Sequence, residues 1–219
     1  MIKLLILDFD GVLVESVDIK TEAFRELFQG YKDKVDEIVQ YHIKNHAFSR
    51  YAKFKYIYEN ILGKEYTSKV ERDLGRRFSE IVFQKVAECP SVEGAEEFLE
   101  YFSKIYPIYL ASNTPQQELE RIIVKRKMKK YFKQIFGCPP GNKVDFINKA
   151  IENEHAKPNE AIYIGDMMED YNIAKKTGVF FIGRRNIESF DNLDIPQFSN
   201  LKEIKKWIMS RKINEKYFR

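Results

Sequence analysis

Three short apolar runs, KLLIL from Lys3, PIYLA from Pro107 and AIYIG from Ala161, each stop abruptly on polar residues. The runs are continuous rather than alternating and include β-branched residues, the pattern of strands buried on both faces. GVFFIG from Gly178 reads as a fourth strand and QIFG from Gln134 as a weaker fifth. Helical patterns separate them: SVEGAEEFLEYFSKI, PQQELERIIVKRKMKKYF, NKVDFINKAIENE and DYNIAKKTG. The last ends on a glycine after two lysines, a helix stop signal. Strands alternating with helices predict an α/β fold, a Rossmann-like parallel sheet with right-handed crossovers.

Residues 15–88 differ. They show little strand signal, are rich in Lys, Glu, Phe and Tyr, and place apolar residues at helical spacing, as in AFRELF and YAKFKYIYENIL. This stretch is expected to be an α-helical subdomain inserted after the first strand. Residues 1–14 and 89–219 would then form the sheet core. The final stretch, LKEIKKWIMSRKINEKYFR, reads as a terminal helix.

Ligands of parallel sheets bind outside the carboxyl ends of the strands. The first strand ends in Asp8-Phe9-Asp10-Gly11, the second in Ser112-Asn113-Thr114, and the third in Gly165-Asp166 with Asp170 four residues on. Strand alternation would put Asp8 and Asp10 on one side and Phe9 on the other. Four carboxylates gathered in one crevice repel each other and raise their own pKa values. A divalent cation relieves this. Oxygen ligands without His or Cys favour magnesium, held here by Asp8, Asp10, Asp166 and Asp170 beside a phosphate oxygen. One cationic side chain is still wanted. Lys143, in GCPPGNKVDF, is the candidate over Lys149 and Lys157, because the turn before it follows a strand closely.

Composition narrows the classes. At 44% hydrophobic and 32% charged, the 219 residues suit an ordered globular chain. No apolar run reaches the length of a membrane span, and the first residues lack a signal-peptide pattern. Cys89 and Cys138 lie far apart without metal-ligand spacing, as expected of reduced thiols in a cytoplasmic protein. The net charge of +4 permits anionic ligands. RIIVKRKMKKYFK from Arg121 and the terminal helix are basic, but no base-reading motif accompanies them. A solvated helix face is expected there rather than a nucleic-acid site.

DFDGVL (Asp8 to Leu13), LASNTP (Leu110 to Pro115), Lys143 and GDMMED (Gly165 to Asp170), in that order, resemble the haloacid dehalogenase-like hydrolases. The likeness is to the subgroup with a helical cap after the first motif, which includes phosphoglycolate phosphatases and β-phosphoglucomutase-like enzymes. The resemblance implies that Asp8 is a nucleophile forming an aspartyl-phosphate and Asp10 the general acid and base, its backbone carbonyl touching the metal. It implies that Ser112 and the Asn113 amide hold the phosphoryl group, with Lys143 balancing its charge. Asp166 would bind magnesium directly. Asp170 would bind it through water or orient Lys143, and some relatives use an acid at the position of Glu169. An acid at Asp10 points to phosphate chemistry, since a halide leaving group needs no proton.

The expected function is thus a magnesium-dependent phosphatase acting on a small phosphorylated metabolite such as a sugar phosphate. The cap is expected to close over the crevice, with His46, Arg50 and Lys53 reading the leaving group. Two alternatives belong to the same superfamily: a sugar-phosphate mutase, and a phosphonate-cleaving enzyme using Lys53 or Lys55 as a Schiff base. A third, of another class, is a non-catalytic binding or regulatory protein on the same fold.

Overall fold

The computed structural model describes residues 2–46 and 48–210. The described residues divide into two compact units, one from residues 2–15 and 90–210 and one from residues 16–89.

The first unit is built on a six-stranded parallel sheet. In chain order its strands are β1 (Leu4–Leu7), β2 (Ile108–Ser112), β3 (Gln134–Gly137), β4 (Ala161–Gly165), β5 (Phe180–Arg184) and β6 (Gln197–Phe198). Their spatial order is β3-β2-β1-β4-β5-β6, with β1 at the centre. Leu7 pairs with Leu110 on one side and with Ile164 on the other. The carboxyl ends of β1, β2 and β4 therefore lie side by side, where the sheet order reverses and ligand crevices form. The five expected strands are all present. The two-residue β6 is too short to leave a pattern in sequence.

Both faces of the sheet are covered, which explains the unbroken apolar runs. Leu4 and Ile6 pack with Tyr109, Ala111, Phe146, Ile147 and Ala174 on one face. The intervening Leu5 and Leu7, which point the other way, are equally inaccessible. Among the described residues, five α-helices belong to this unit. The helix Ala95–Phe102 starts after Gly94, at φ 80°. The helix after β2 runs only Gln116–Lys125, shorter than its sequence suggests, because Lys127 takes a left-handed φ of 58°. The others are Lys143–Asn153, Met168–Thr177 and Leu201–Met209. Gly178, at φ 75°, ends the Met168–Thr177 helix as the sequence anticipates. The Leu201–Met209 helix begins the expected terminal helix, whose remainder lies outside the described residues.

The second unit is helical: Val17–Leu27, Val35–Lys44, Arg50–Tyr56 continuing as a π turn Ile57–Ile61, and Ser68–Glu88. Its centre is aromatic. Phe24, Phe28, Phe54 and Phe78 are each at most 1% exposed and meet ring to ring. The helix Val35–Lys44 ends at Asn45, and Ser49 caps the helix that starts at Arg50, accepting from Ala52 N–H. Among the described residues no helix is long and apolar enough to cross a membrane.

Candidate active site

β1 stops at Leu7, and the chain then bends over Asp8 to Gly11. Gly11 sits at φ 72°, a backbone conformation glycine adopts without strain. A Cβ there would also run into the carboxylate of Asp166. Strand alternation therefore does not govern Asp10, and the two aspartates of the first motif meet different partners.

Asp8 is 6% exposed. Its Oδ1 accepts from Phe9 N–H at 2.6 Å and its Oδ2 from Lys143 Nζ at 2.7 Å. Lys143 reaches it because Asn142 caps the helix that Lys143 begins, accepting from Asp145 N–H at 3.2 Å. The same amine donates to Asp170 Oδ1 at 2.7 Å. Asp170 also accepts from Tyr163 Oη at 2.5 Å, and its Oδ2 accepts the N–H groups of Asp166 and Met167 at 3.3 and 3.2 Å. It thereby closes the first turn of the Met168–Thr177 helix and orients Lys143 at once. Asp166 completes the group, 2% exposed, its Oδ2 accepting from Asn186 Nδ2 at 3.1 Å.

Carboxylate oxygens of Asp8, Asp166 and Asp170 lie within 4.8 Å of one another. Burial pushes the Asp8 carboxyl up to about 6 despite Lys143, with Asp170 adding repulsion. Burial, then Asp8 and Asp170, hold Asp166 well above the usual carboxylate range. Burial opposes the charge on Lys143, but Asp170 and Asp8 beside it win and raise its pKa well above the ordinary value. Three buried carboxylates thus share one lysine. This oxygen-rich, under-compensated set fits a hard divalent cation, and the crowding of Gly11 against Asp166 leaves that carboxylate little freedom to turn away.

Asp10 is outside this trio. Its Oδ2 accepts from Thr114 Oγ1 at 3.0 Å, and Thr114 N–H donates to Ser112 Oγ at 3.1 Å. Thr114 therefore ties the first motif to the end of β2. Ser112 is fully buried as the last residue of that strand, and Asn113 follows it. Ser112 does not cap the next helix, which starts after Pro115. The structure brings Asp8, Lys143, Asp166 and Asp170 together and joins Asp10 to the Ser112 turn.

His46, Arg50 and Lys53 lie in the helical unit, and Arg50 and Lys53 are buried. Arg50 donates to Ser79 Oγ at 3.0 Å and stands 4.6 Å over the Phe78 ring. Lys53 Nζ donates to the His46 carbonyl at 3.1 Å and lies 3.2 Å from His42 Nδ1. Burial, then Lys20 and Arg50, lower its pKa to about 7. Burial and Lys53 lower His42 to about 2 and His46 to about 4. Lys55 is exposed.

Sequence reading missed Thr114, Tyr163 and Asn186. Thr114 stands inside the LASNTP motif. Tyr163 stands in an apolar strand, where a phenol invites the question of its partner. Asn186 follows β5 with no local cue.

The sequence profile described as haloacid dehalogenase-like hydrolase matches residues 5–184. The chain belongs to this family and is a hydrolase of that class. Among solved structures, it is similar to a predicted phosphoglycolate phosphatase from Haemophilus somnus 129PT, with a TM-score of 0.76 at 15% identity over 94% of this chain and 98% of that one. It is also similar to CbbY from Rhodobacter sphaeroides in complex with phosphate, with a TM-score of 0.74 at 16% identity over 93% and 96%. A mutant of CbbY has been solved with xylulose-(1,5)bisphosphate. A haloacid dehalogenase-like family hydrolase from Streptococcus pneumoniae gives a TM-score of 0.68 at 18% identity over 94% and 98%. At these identities the likeness is one of fold. No curated protein matches the sequence.

Proposed function

We propose that the protein is a magnesium-dependent phosphatase of small phosphomonoesters, acting through an aspartyl-phosphate on Asp8. The observation that carries this reading is the buried charge group. Asp8 and Asp170 each lie 2.7 Å from the Lys143 amine, with Asp166 beside them. Asp8, Asp166 and Asp170 would hold magnesium, with the Asp10 carbonyl as a further ligand. Bound there, the ion offsets the charge of the phosphate and of the carboxylates.

The chain's own residues supply the remaining chemistry. An Asp8 oxygen attacks phosphorus as the bond to the leaving oxygen breaks. Asp10, held by Thr114, gives that oxygen a proton. Water then attacks the aspartyl-phosphate, Asp10 takes its proton, and free phosphate leaves with Asp8 restored. Lys143, Ser112 and the Asn113 amide stabilise charge on the phosphoryl oxygens. Sugar phosphates and phosphoglycolate are the first substrates to try, because structural relatives of low identity carry those names or ligands.

Phosphate release from a panel of phosphorylated metabolites tests the reading, with magnesium, with EDTA, and with Asp8→Asn. Release that needs magnesium and disappears in Asp8→Asn is expected. Full activity in Asp8→Asn would sink the mechanism. Magnesium binding without release from any compound would favour a mutase or a non-catalytic phosphometabolite-binding protein.

A second reading, a phosphonate-cleaving enzyme, would use Lys53, a buried amine that is held by the His46 carbonyl at 3.1 Å, lies beside His42 and has its pKa lowered by burial to about 7. Its amine would condense with a substrate carbonyl to an imine, releasing water. Borohydride with a carbonyl-bearing phosphonate would then leave a stable adduct on Lys53, readable by mass spectrometry. The phosphatase reading expects none.

A further inference from the structure

The segment leaving β5, Arg184 to Phe190, lies outside the family's four motifs, yet its side chains reach the site. Asn186 Nδ2 donates to Asp166 Oδ2 at 3.1 Å. A Cβ on Gly11 would collide with that same oxygen and lie 2.8 Å from Asn186 Nδ2. One oxygen of Asp166 is thus wedged between the Gly11 backbone and the Asn186 amide. Two residues earlier, Arg184 Nη1 donates to the Gly11 carbonyl at 3.2 Å. The rest of its guanidinium grips Glu15 and the Ser199 carbonyl. The segment is itself anchored: Glu188 accepts from Met168 N–H, and Phe190 is fully buried against Gly183.

We propose that Asn186 is a positioning residue for the magnesium-binding carboxylate of Asp166, with Arg184 fixing the Gly11 turn against which both pack. This rests on the reading of Asp166 as a magnesium ligand. Carboxylates that ligate metals are commonly oriented by a hydrogen bond on another atom. An amide suits this role because it donates without bringing a positive charge, so the charge of Asp166 stays available to the ion. Held by Oδ2, the carboxylate keeps Oδ1 for coordination.

Magnesium titrated into the whole protein tests this, read by calorimetry and by the rise in melting temperature rather than by turnover. Wild type, Asp166→Ala, Asn186→Ala and Asn186→Leu are compared, the last filling the volume of the amide without its donor. Wild type should bind and Asp166→Ala should not. Both Asn186 variants should bind about 10- to 100-fold more weakly. Their metal-free melting temperatures should stay near wild type, since Asn186 is only half-buried. No binding by wild type would overturn the magnesium reading itself. Binding by wild type with unchanged affinity in Asn186→Ala would overturn the positioning role alone. Affinity restored by Asn186→Leu would show that packing, not donation, acts there, and would also overturn it.

Discussion

Lys143 and Lys53 are buried almost equally, at 6% and 3% exposure, in settings of opposite sign. Lys143 ends between Asp8 and Asp170, and their charge holds its proton firmly. Lys53 ends on a carbonyl and an imidazole, with Lys20 and Arg50 adding repulsion, and its proton is loosely held. Burial penalises both charges alike. What differs is the partner, so depth alone says little about the state of a buried amine.

The largest effect expected from this contrast is on Lys143. Lys143→Met would leave Asp8 and Asp170 buried without their cation. Breaking a buried pair on one side costs about 3–5 kcal/mol. Urea unfolding at pH 7 in EDTA should show a loss of that order, and phosphate release with magnesium should fall to near background. Unchanged unfolding would mean that the carboxylates do not depend on the lysine.

Lys53 should act in the other direction. Between about pH 7, its folded pKa, and 10.5, its ordinary value, the unfolded amine keeps a proton that the folded one has lost. Stability should therefore rise with pH across that window, by at most about 1.4 kcal/mol per unit from this group. Lys53→Met should remove that slope. If the slope survives in the variant, another group causes it.

How far the sequence reveals these settings differs between the two regions. The sheet could be read because strands buried on both faces leave unbroken apolar runs, and the polar residues that end them stand out. Asp8, Ser112 and Asp166 were legible for that reason. Lys143 was legible from the turn before it. Asn186 was not: its partner lies 20 residues away, and nothing nearby in the chain announces the pairing. In the helical unit, spacing gave helices but not depth. The bare chain suggests that Arg50 and Lys53 read a leaving group but gives no sign of their depth, which the packing of Phe24, Phe54 and Phe78 around them shows.

A smaller effect follows from the imidazoles near Lys53. His42 and His46 are held neutral in the fold, at about 2 and about 4. Unfolded, both take a proton near the ordinary value of 6.5. As pH falls below 6.5 the unfolded state gains protons first, so this stability is progressively lost toward pH 4. Hydrogen exchange should show amides of Val35–Lys44 and Arg50–Tyr56 opening on acidification before those of Ala161–Gly165. Simultaneous opening would mean that the two units share one acid transition. His42→Phe should blunt the effect, since His42 already stacks 4.2 Å from the Phe24 ring.

The smallest change probes a neutral donor in the site. Thr114→Val removes the hydroxyl that Asp10 accepts at 3.0 Å while keeping the shape of the side chain. Asp10 is partly exposed, so water can replace the lost partner, and stability should fall by about 1 kcal/mol or less. Turnover should fall further, because a general acid contributes about 10²–10⁴-fold only when correctly aimed, and Val no longer donates to it. A roughly tenfold drop in kcat with KM unchanged is expected, against a much larger drop for Asp10→Asn. Equal kcat in Thr114→Val and wild type would show that Asp10 needs no such hold.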